Sequence, residues 1–356
     1  MQEQRPLKGR GATGNPDSRY DSARRESFDD GWGTADEDVT PLRTRVEVDA
    51  SRTVISHNRS PDLPFDQSLN PYRGCEHGCI YCYARPSHAW LGLSPGLDFE
   101  SRLFAKPAAA DLLRRELARP SYRCRPLALG TNTDPYQPIE REWRITRAVL
   151  ELMRDSRHPV SIVTKSALIE RDLDVLAELA QQGLVRVMIS VTTLDRELAR
   201  RMEPRAAAPQ RRLQAMRALA DAGVPVGVLA APVIPALNDA ELETILAASA
   251  AAGADSAGWE FLRLPQEVGS LFCDWLEVHY PMKAEHVLNL LRGARGGQLN
   301  DSRFGARLRG EGAVATLIAQ RFARQCRQLG LDQPQAELDC GRFCPPPTDR
   351  GQLALF

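Results

Sequence analysis

Three cysteines stand close together in the first third of the chain. Cys75, Cys79 and Cys82 lie within the segment CEHGCIYC, and the whole chain holds eight cysteines. Thiolates bind soft metals, and such short gaps let one loop wrap one metal centre. A closed zinc site needs four ligands, so His77, His88 or a distant cysteine would have to complete it. A four-iron cubane held by three thiolates would instead keep one iron open for a small molecule.

The composition is that of an ordinary globular protein. The 356 residues include 46 basic and 46 acidic side chains, and 43% of the chain is hydrophobic. This balance gives no whole-molecule charge argument for binding nucleic acid or a membrane. No run approaches the roughly 18 apolar residues of a spanning helix, and the N-terminus lacks a signal-peptide core. Few, clustered cysteines are typical of a reducing compartment, so we expect a cytoplasmic protein without a membrane partner.

Composition divides the chain into four parts. Residues 1–45 are rich in Gly, Ser, Asp and Arg and nearly free of aliphatic side chains, which predicts a disordered leader. Residues 46–280 read as the folded core. Residues 281–345 form an arginine-rich helical extension, and residues 346–356 form a flexible tail.

Strand and helix patterns alternate through the core. Apolar runs predict strands at 127–129, 160–164, 185–191, 224–230 and 258–262, with a further strand before Cys75. Amphipathic stretches between them predict helices around 108–118, 140–154, 170–182, 209–222 and 239–252. This alternation predicts an α/β fold, a partial (β/α)6 barrel with a parallel sheet. The loops that follow the strands would then carry the chemistry.

The cysteine motif resembles that of a known enzyme superfamily. C-x3-C-x2-C with an aromatic residue, Tyr81, before the third cysteine is similar to the radical S-adenosylmethionine superfamily, over about residues 66–265. The resemblance implies that Cys75, Cys79 and Cys82 hold a 4Fe–4S cluster whose open iron chelates S-adenosylmethionine. Reductive cleavage would yield a 5′-deoxyadenosyl radical that abstracts a hydrogen atom. The resemblance also implies an electron donor of the flavodoxin or ferredoxin type.

The same resemblance implies residues that contact the cofactor. Tyr81 corresponds to an aromatic near the adenine, and the run from Gly130 to Asp134 follows the second strand, where the family contacts the methionine amino group. The predicted cofactor-binding residues are Tyr81, Thr133, Asp134, Lys165, Ser190 and Arg205. The alternatives are a plain turn and helix cap at Asp134, and solvated side chains or caps at the others.

Tyr83 and His88 are candidate catalytic residues because they follow the third cysteine closely. Histidine can act as a proton donor near neutrality, although a satisfied loop histidine is the alternative. The pair Cys82–Tyr83 and the Thr–Asp run resemble spore photoproduct lyases, which repair a thymine dimer in DNA and use a cysteine as hydrogen donor. This chain has no cysteine between Thr131 and Asp134, and Cys124 lies seven residues upstream.

An arginine-rich segment runs from Arg292 to Arg327. It holds eight arginines against only Asp301 and Glu311. Such a patch suits phosphate contacts, which supply most non-specific affinity for nucleic acid. A solvated helical face is the alternative.

The last five residues, Gln352 to Phe356, read QLALF. Three large apolar side chains would be sticky if exposed, so they either dock on the protein itself or enter a partner's groove. The pattern resembles the short peptide by which bacterial DNA-polymerase partners bind the sliding clamp.

Three hypotheses follow. The first is a radical S-adenosylmethionine enzyme acting on DNA or another nucleic acid. The second is the same chemistry on a protein or small molecule. The third is a non-catalytic metal- or cluster-binding interaction protein.

Overall fold

The structure is a computed structural model that describes residues 7–17, 19–20 and 42–347. Its strands are short, and most of them are separated by helices. In chain order they are β1 Arg45–Val48, β2 Ser56–His57, β3 Gln67–Leu69, β4 Tyr72–Arg73, β5 Arg102–Ala105, β6 Leu127–Leu129, β7 Val160–Thr164, β8 Val185–Ser190, β9 Val226–Val233 and β10 Ser256–Phe261.

The main sheet of the described chain is a partial barrel. Strands β3, β6, β7, β8, β9 and β10 pair side by side in chain order, and every one of these pairs is parallel. Strand β2 lies antiparallel at the β3 edge. Within the described residues β3 and β10 do not pair with each other, so the barrel stays open between them. This confirms the predicted α/β partial barrel of six strand–helix units.

A second, smaller sheet flanks the cysteine segment. Strand β1 runs parallel to β5, and β4 runs antiparallel to β5. Cys75 lies two residues after the end of β4, and its amide donates to the carbonyl of Phe99, three residues before β5, at 2.9 Å. The small sheet therefore fixes where the cysteine loop leaves the core.

Apolar runs located the barrel strands well, with shifts at their ends. Strands β6 and β7 match the predicted bounds. Strand β9 begins two residues later than predicted and extends to Val233, because Pro225 has no N–H with which to join the ladder. The side chains of Leu127, Leu129, Val160 and Ile162 are all fully buried, as expected for strands covered on both faces.

Helices follow most of the barrel strands and cover them. They are α1 Leu97–Ser101, α2 Ala109–Leu117, α3 Glu140–Trp143, α4 Ile145–Asp155, α5 Leu173–Ala180, α6 Arg196–Met202, α7 Pro209–Asp221, α8 Leu242–Ala251, α9 Val268–His279, α10 Pro281–Gly293, α11 Ala306–Arg309 and α12 Gly312–Leu329. The single helix predicted at 140–154 is divided, because Arg144 adopts a left-handed conformation with φ 49°. The Glu140 carboxylate then accepts from the Thr146 amide at 3.1 Å and caps the start of α4.

The C-terminal helices pack against the last part of the barrel. Helix α12 lies on α8 and β10. Arg321 of α12 pairs with Glu243 of α8 at 2.6 Å, and Phe322 packs on Trp259 with ring centroids 6.1 Å apart. The predicted helical extension is confirmed.

Residues 7–17, which fall within the predicted leader, pack against the folded core. Ala12 is 1% exposed and Arg10 is buried. The segment is held by polar contacts, chiefly to Glu100, rather than by apolar burial, and composition gives no sign of such contacts. Residues 1–6, 18 and 21–41 lie outside the described part of the chain.

The C-terminal peptide from Gln352 to Phe356 also lies outside the described residues, so both of its predicted roles stay predictions. Among the residues that are described, no helix combines the length and apolar character needed to cross a membrane.

Candidate functional site

The cysteine loop joins β4 to a 3-10 helix at Arg85–Leu91. Cys75 and Cys79 are each 7% exposed, Cys82 is half-buried, and all three are free thiols. The Gly78 amide donates to the Cys75 carbonyl at 3.3 Å, and the Cys82 amide donates to the Cys79 carbonyl at 3.2 Å. Burial raises the pKa of each thiol. Thiolates at these positions would therefore need a cation beside them.

A buried carboxylate ties this loop to the barrel. Tyr81 and Thr192 both donate to Glu203 through their hydroxyls, the latter at 2.7 Å. Arg212 pairs with the same carboxylate, and the Lys165 ammonium lies 3.4 Å from it. Burial alone would raise the pKa of Glu203, but the charges of Arg212 and Lys165 outweigh burial and lower it. Glu203 is therefore ionised, and it fixes Tyr81 in place.

Three of the predicted cofactor residues meet at the carboxyl ends of the strands. Lys165 follows β7 and Ser190 ends β8. The Lys165 ammonium donates to the Ser190 hydroxyl and lies 5.8 Å from the Tyr81 ring centroid. The carbonyl of Ala231, in β9, lies 3.4 Å from the same ammonium. The structure thus brings Tyr81, Lys165 and Ser190 into one polar cluster beside the cysteine loop.

Asp134 holds the loops that follow β6 and β7. Its carboxylate accepts from the Thr164 hydroxyl at 2.7 Å and from the Lys165 amide at 2.8 Å. Nδ1 of His77, in the cysteine loop, lies 3.3 Å from the oxygen that accepts from the Lys165 amide. Burial opposes ionisation, but His77 and the hydrogen bonds lower the pKa of Asp134. The side chain is thus engaged within the protein and acts by positioning its neighbours.

The turn from Gly130 to Thr133 is held in place by contacts within the protein. A Cβ at Gly130 would lie 2.1 Å from the Val163 carbonyl oxygen, and its φ is 86°, so glycine is required there. Thr133 donates its hydroxyl to the Tyr72 carbonyl at 3.0 Å. The side chain of Asn70 accepts from the amides of Asn132 and Thr133 at 3.0 and 3.3 Å. The Thr133 hydroxyl is thus directed to the protein's own backbone.

Arg205 lies in a different neighbourhood from Lys165 and Ser190. It pairs with Glu76 of the cysteine loop at 3.1 Å. It also lines an open groove of about 480 Å³ together with His77 and three further arginines, Arg141, Arg171 and Arg211. Arg205 is therefore placed at the outer wall of the loop.

The two catalytic candidates have different surroundings. The Tyr83 ring is 40% exposed, its hydroxyl donates to the Thr131 carbonyl, and the Arg263 guanidinium lies 4.2 Å above it. His88 is fully buried, and its Nε2 lies 2.8 Å from the Arg102 carbonyl oxygen. Burial lowers the pKa of His88 to about 4, so the ring is neutral near pH 7. His88 therefore packs in the interior, against Phe99 and Phe104.

Both histidines that could complete a zinc site have other contacts in the structure. His77 is paired with Asp134, and His88 packs against Phe99 with ring centroids 5.2 Å apart. In the described part of the chain, no group of three or more His, Cys, Asp or Glu side chains is placed to hold a metal ion.

The arginines between Arg292 and Arg327 are largely engaged within the protein. Arg295 is 3% exposed and donates to the carbonyls of Phe261 and Leu262. Four others bind acidic side chains or a backbone carbonyl: Arg303, Arg307, Arg309 and Arg321. Arg292, Arg324 and Arg327 are exposed, so contact of this segment with a nucleic acid stays a prediction.

Arg85 and Glu100 support the cysteine loop from a second direction. The Arg85 guanidinium donates to the Cys79 carbonyl at 2.9 Å and to the Gly78 carbonyl at 3.1 Å. It also pairs with Glu100, and both side chains are fully buried. Removing either partner of a buried charged pair leaves the other charge without a counter-charge. The backbone geometry of the loop therefore depends on both Arg85 and Glu100.

Sequence reasoning missed the roles of Glu203, Arg212, Glu100 and Arg85. A signal was present for Arg212, which shares the buried face of α7 with Ala215, Met216 and Leu219. A charged residue on an apolar helical face needs a buried partner. For Arg85 and Glu100, which lie in a short 3-10 helix and in the short α1, no periodic pattern was available.

Comparisons with known proteins agree with this arrangement. Residues 69–248, just over half of the chain, match the sequence model of the Radical SAM superfamily. An uncharacterised protein of Mycobacterium tuberculosis (strain ATCC 25618 / H37Rv) is 40% identical over 232 residues, which is 65% of this chain and 68% of the relative. An uncharacterised protein of Methanocaldococcus jannaschii is 27% identical over 221 residues, 62% of this chain and 79% of the relative.

The fold has a counterpart among solved structures. Spore photoproduct lyase, in a mutant form with bound AdoMet and dinucleoside spore photoproduct, is similar with a TM-score of 0.56 at 17% identity. The similarity covers 80% of this chain and 78% of the lyase. The chain therefore belongs to the radical S-adenosylmethionine superfamily, whose members are enzymes that use a 4Fe–4S cluster and S-adenosylmethionine.

Proposed function

We propose that Cys75, Cys79 and Cys82 ligate the 4Fe–4S cluster and leave one iron open to S-adenosylmethionine. The observation that carries this is the loop itself, which presents three free thiols beside the carboxyl ends of the barrel strands. Soft thiolates suit iron–sulfur clusters. When bound, the cluster supplies the electron that cleaves S-adenosylmethionine to the 5′-deoxyadenosyl radical. A flavodoxin- or ferredoxin-type donor is the proposed source of that electron.

Around the loop, the chain's own residues would bind and orient the cofactor. Lys165 is held by Glu203 and Ser190, and we assign its ammonium to the methionine carboxylate. Tyr81 and Ser190 flank that position. Thr133 and Asp134 position the backbone of their turn, and Arg205 positions Glu76.

For the substrate, we propose a nucleic acid. The supporting observation is the half-exposed Tyr83 ring, next to Cys82, with Arg263 stacked over it at 4.2 Å. In the described residues the Arg263 Nε is buried without a hydrogen-bond partner. Aromatic rings paired with arginine suit stacking with bases. The dinucleoside bound by spore photoproduct lyase makes damaged nucleotides the first substrates to test.

Thymine-dimer repair with a cysteine as hydrogen donor does not transfer directly to this chain. Cys124 precedes β6, whereas Thr131 follows it, so they lie at opposite ends of the strand. Tyr83 contacts the Thr131 carbonyl. We therefore assign Tyr83 to the substrate side of the site.

The test of the chemistry is production of 5′-deoxyadenosine after anaerobic reconstitution with iron and sulfide. Dithionite and S-adenosylmethionine are added, and the product is measured by chromatography. We expect wild type and Cys273→Ala to form it and Cys79→Ala to form none, since Cys273 lies on α9 outside the loop. Equal yields from Cys79→Ala and wild type would overturn the assignment.

The test of the substrate class is binding of labelled single- and double-stranded oligonucleotides at several salt concentrations. We expect a steep salt slope and about tenfold weaker binding for Arg263→Ala, because loss of a stacking partner costs about 1–3 kcal/mol. Arg115→Ala, at an exposed position on α2 and outside the arginine-rich segment, serves as the control. No binding at any salt would favour a protein or small-molecule substrate instead, and equal loss in both variants would contradict the stacking role of Arg263.

A further inference from the structure

The N-terminal strap, defined as residues 7–17, lies against the segment that supports the cysteine loop. The Gly11 and Ala12 amides donate to the two oxygens of the Glu100 carboxylate, each at 2.9 Å. Further along the strap, the Gly14 carbonyl accepts from the Leu97 amide at 3.2 Å. The strap therefore satisfies a fully buried carboxylate with its backbone.

Gly11 also touches the cysteine loop directly. A Cβ at Gly11 would lie 1.8 Å from the Gly78 carbonyl oxygen and 3.0 Å from the Gly78 carbonyl carbon. Gly78 stands immediately before Cys79. Only glycine allows so close an approach of two backbones, so the loop and the strap share a tight contact.

The Glu100 carboxylate connects this contact to the backbone of Cys79. Glu100 pairs with Arg85, and Arg85 donates to the carbonyls of Gly78 and Cys79 at 3.1 and 2.9 Å. Displacing the strap would leave Glu100 with two missing hydrogen bonds. A buried carboxylate without its donors is costly, so the Arg85 contacts to the loop would shift as well.

A second connection runs through Arg10. Its guanidinium donates to the Glu100 carbonyl at 2.6 Å and to the Thr44 hydroxyl at 3.1 Å. Thr44 in turn donates to Glu76 of the cysteine loop at 2.5 Å. The strap thus reaches the loop on both sides of His77.

We propose that the N-terminal strap is a positioning element for the cysteine loop, acting through the Gly11–Gly78 contact and the Glu100 carboxylate. It sets the backbone from which Cys75 and Cys79 hold the cluster. The inference rests on the proposed assignment of the cluster to these thiols.

The test compares Gly11→Ala with Gly14→Ala. A Cβ at Gly14 meets nothing within 4 Å, so Gly14→Ala is a matched control on the same strap. Hydrogen exchange of the apoprotein is read by mass spectrometry in the peptide spanning 75–82 and in β7 and β8. We expect faster exchange in the loop peptide of Gly11→Ala alone, with the β7 and β8 peptides unchanged.

The loaded protein supplies the second readout, the rate at which a chelator removes iron. We expect about tenfold faster loss from Gly11→Ala than from wild type or Gly14→Ala, in the range found when residues supporting metal ligands are changed. If Gly11→Ala does not fold, Arg10→Met takes its place, since it removes the second connection without a clash. Wild-type exchange in the loop together with wild-type iron loss would overturn the inference, as would faster exchange spread evenly over the whole barrel.

Failure of the proposed function gives a different result. A wild-type protein that takes up no iron contradicts the cluster assignment, whereas the exchange measurement on the apoprotein still decides whether the strap positions the loop.

Discussion

Two buried carboxylates hold the cysteine loop, and they differ in where their partners come from. Glu203 is bound by Tyr81, Thr192, Arg212 and Lys165, all of them in the cysteine loop or at barrel strands and helices. Glu100 is bound by Arg85 and by two amides of the N-terminal strap, 88 and 89 residues away in sequence. One support belongs to the barrel, and the other depends on the start of the chain.

The two carboxylates support different properties of the site. On the Glu203 side, the carboxylate also holds Lys165, whose ammonium we assign to the cofactor, so stability and binding are linked there. On the Glu100 side, the contacts are to backbone carbonyls and amides, which set loop geometry. Changes at the two carboxylates should therefore differ in size and in kind.

The largest effect is expected from Glu203→Gln. It leaves Arg212 and Lys165 buried without a counter-charge, which costs about 3 kcal/mol or more. The measurement is urea unfolding of the apoprotein at pH 7. Glu170→Gln breaks a more exposed pair with Arg211 and should cost less than about 1 kcal/mol. Equal destabilisation by the two changes would contradict the claim that Glu203 is the counter-charge of two buried cations.

A smaller effect is expected from Glu100→Gln. Arg85 loses its charged partner but keeps its hydrogen bonds to backbone carbonyls, so the cost should be about 2 kcal/mol, near that of one charged hydrogen bond. The same urea experiment measures it. A loss exceeding that of Glu203→Gln would show that the strap side dominates stability.

The smallest expected effect is on the pH dependence of stability, and it tests whether Glu203 is ionised in the folded protein. The pKa of Glu203 in the folded state lies below the ordinary value of 4.5. The ionised carboxylate therefore makes its full contribution to the free energy of unfolding at pH values above 4.5. As pH falls below 4.5, only the unfolded state takes up the proton at first, and the contribution shrinks. The difference in unfolding free energy between wild type and Glu203→Gln should narrow by about 1 kcal/mol between pH 4.5 and 3.5. A difference that stays constant over this interval would contradict an ionised Glu203.

Local patterns predicted the barrel because its strands are short apolar runs and its helices are amphipathic. The spacing of Cys75, Cys79 and Cys82 and the positions of Lys165 and Ser190 after strands could be read in the same way. The contact between Gly11 and Gly78 could not, since a polar glycine-rich leader has no periodicity that marks a packed segment.

Charge was the least informative signal. A sequence shows that Arg295 is basic, but it does not show that the guanidinium donates hydrogen bonds to two backbone carbonyls. It likewise shows that His88 follows the third cysteine but not that the ring turns into the interior. Pairing and direction depend on residues far away in the chain.

The most direct test of the central claim is the EPR spectrum of the reconstituted, dithionite-reduced protein, recorded with and without S-adenosylmethionine alongside an iron and sulfide count. The account predicts a 4Fe–4S signal that S-adenosylmethionine alters, because one iron is open to it. A protein that binds zinc and no cluster, or a cluster whose spectrum is unchanged by S-adenosylmethionine, would contradict it.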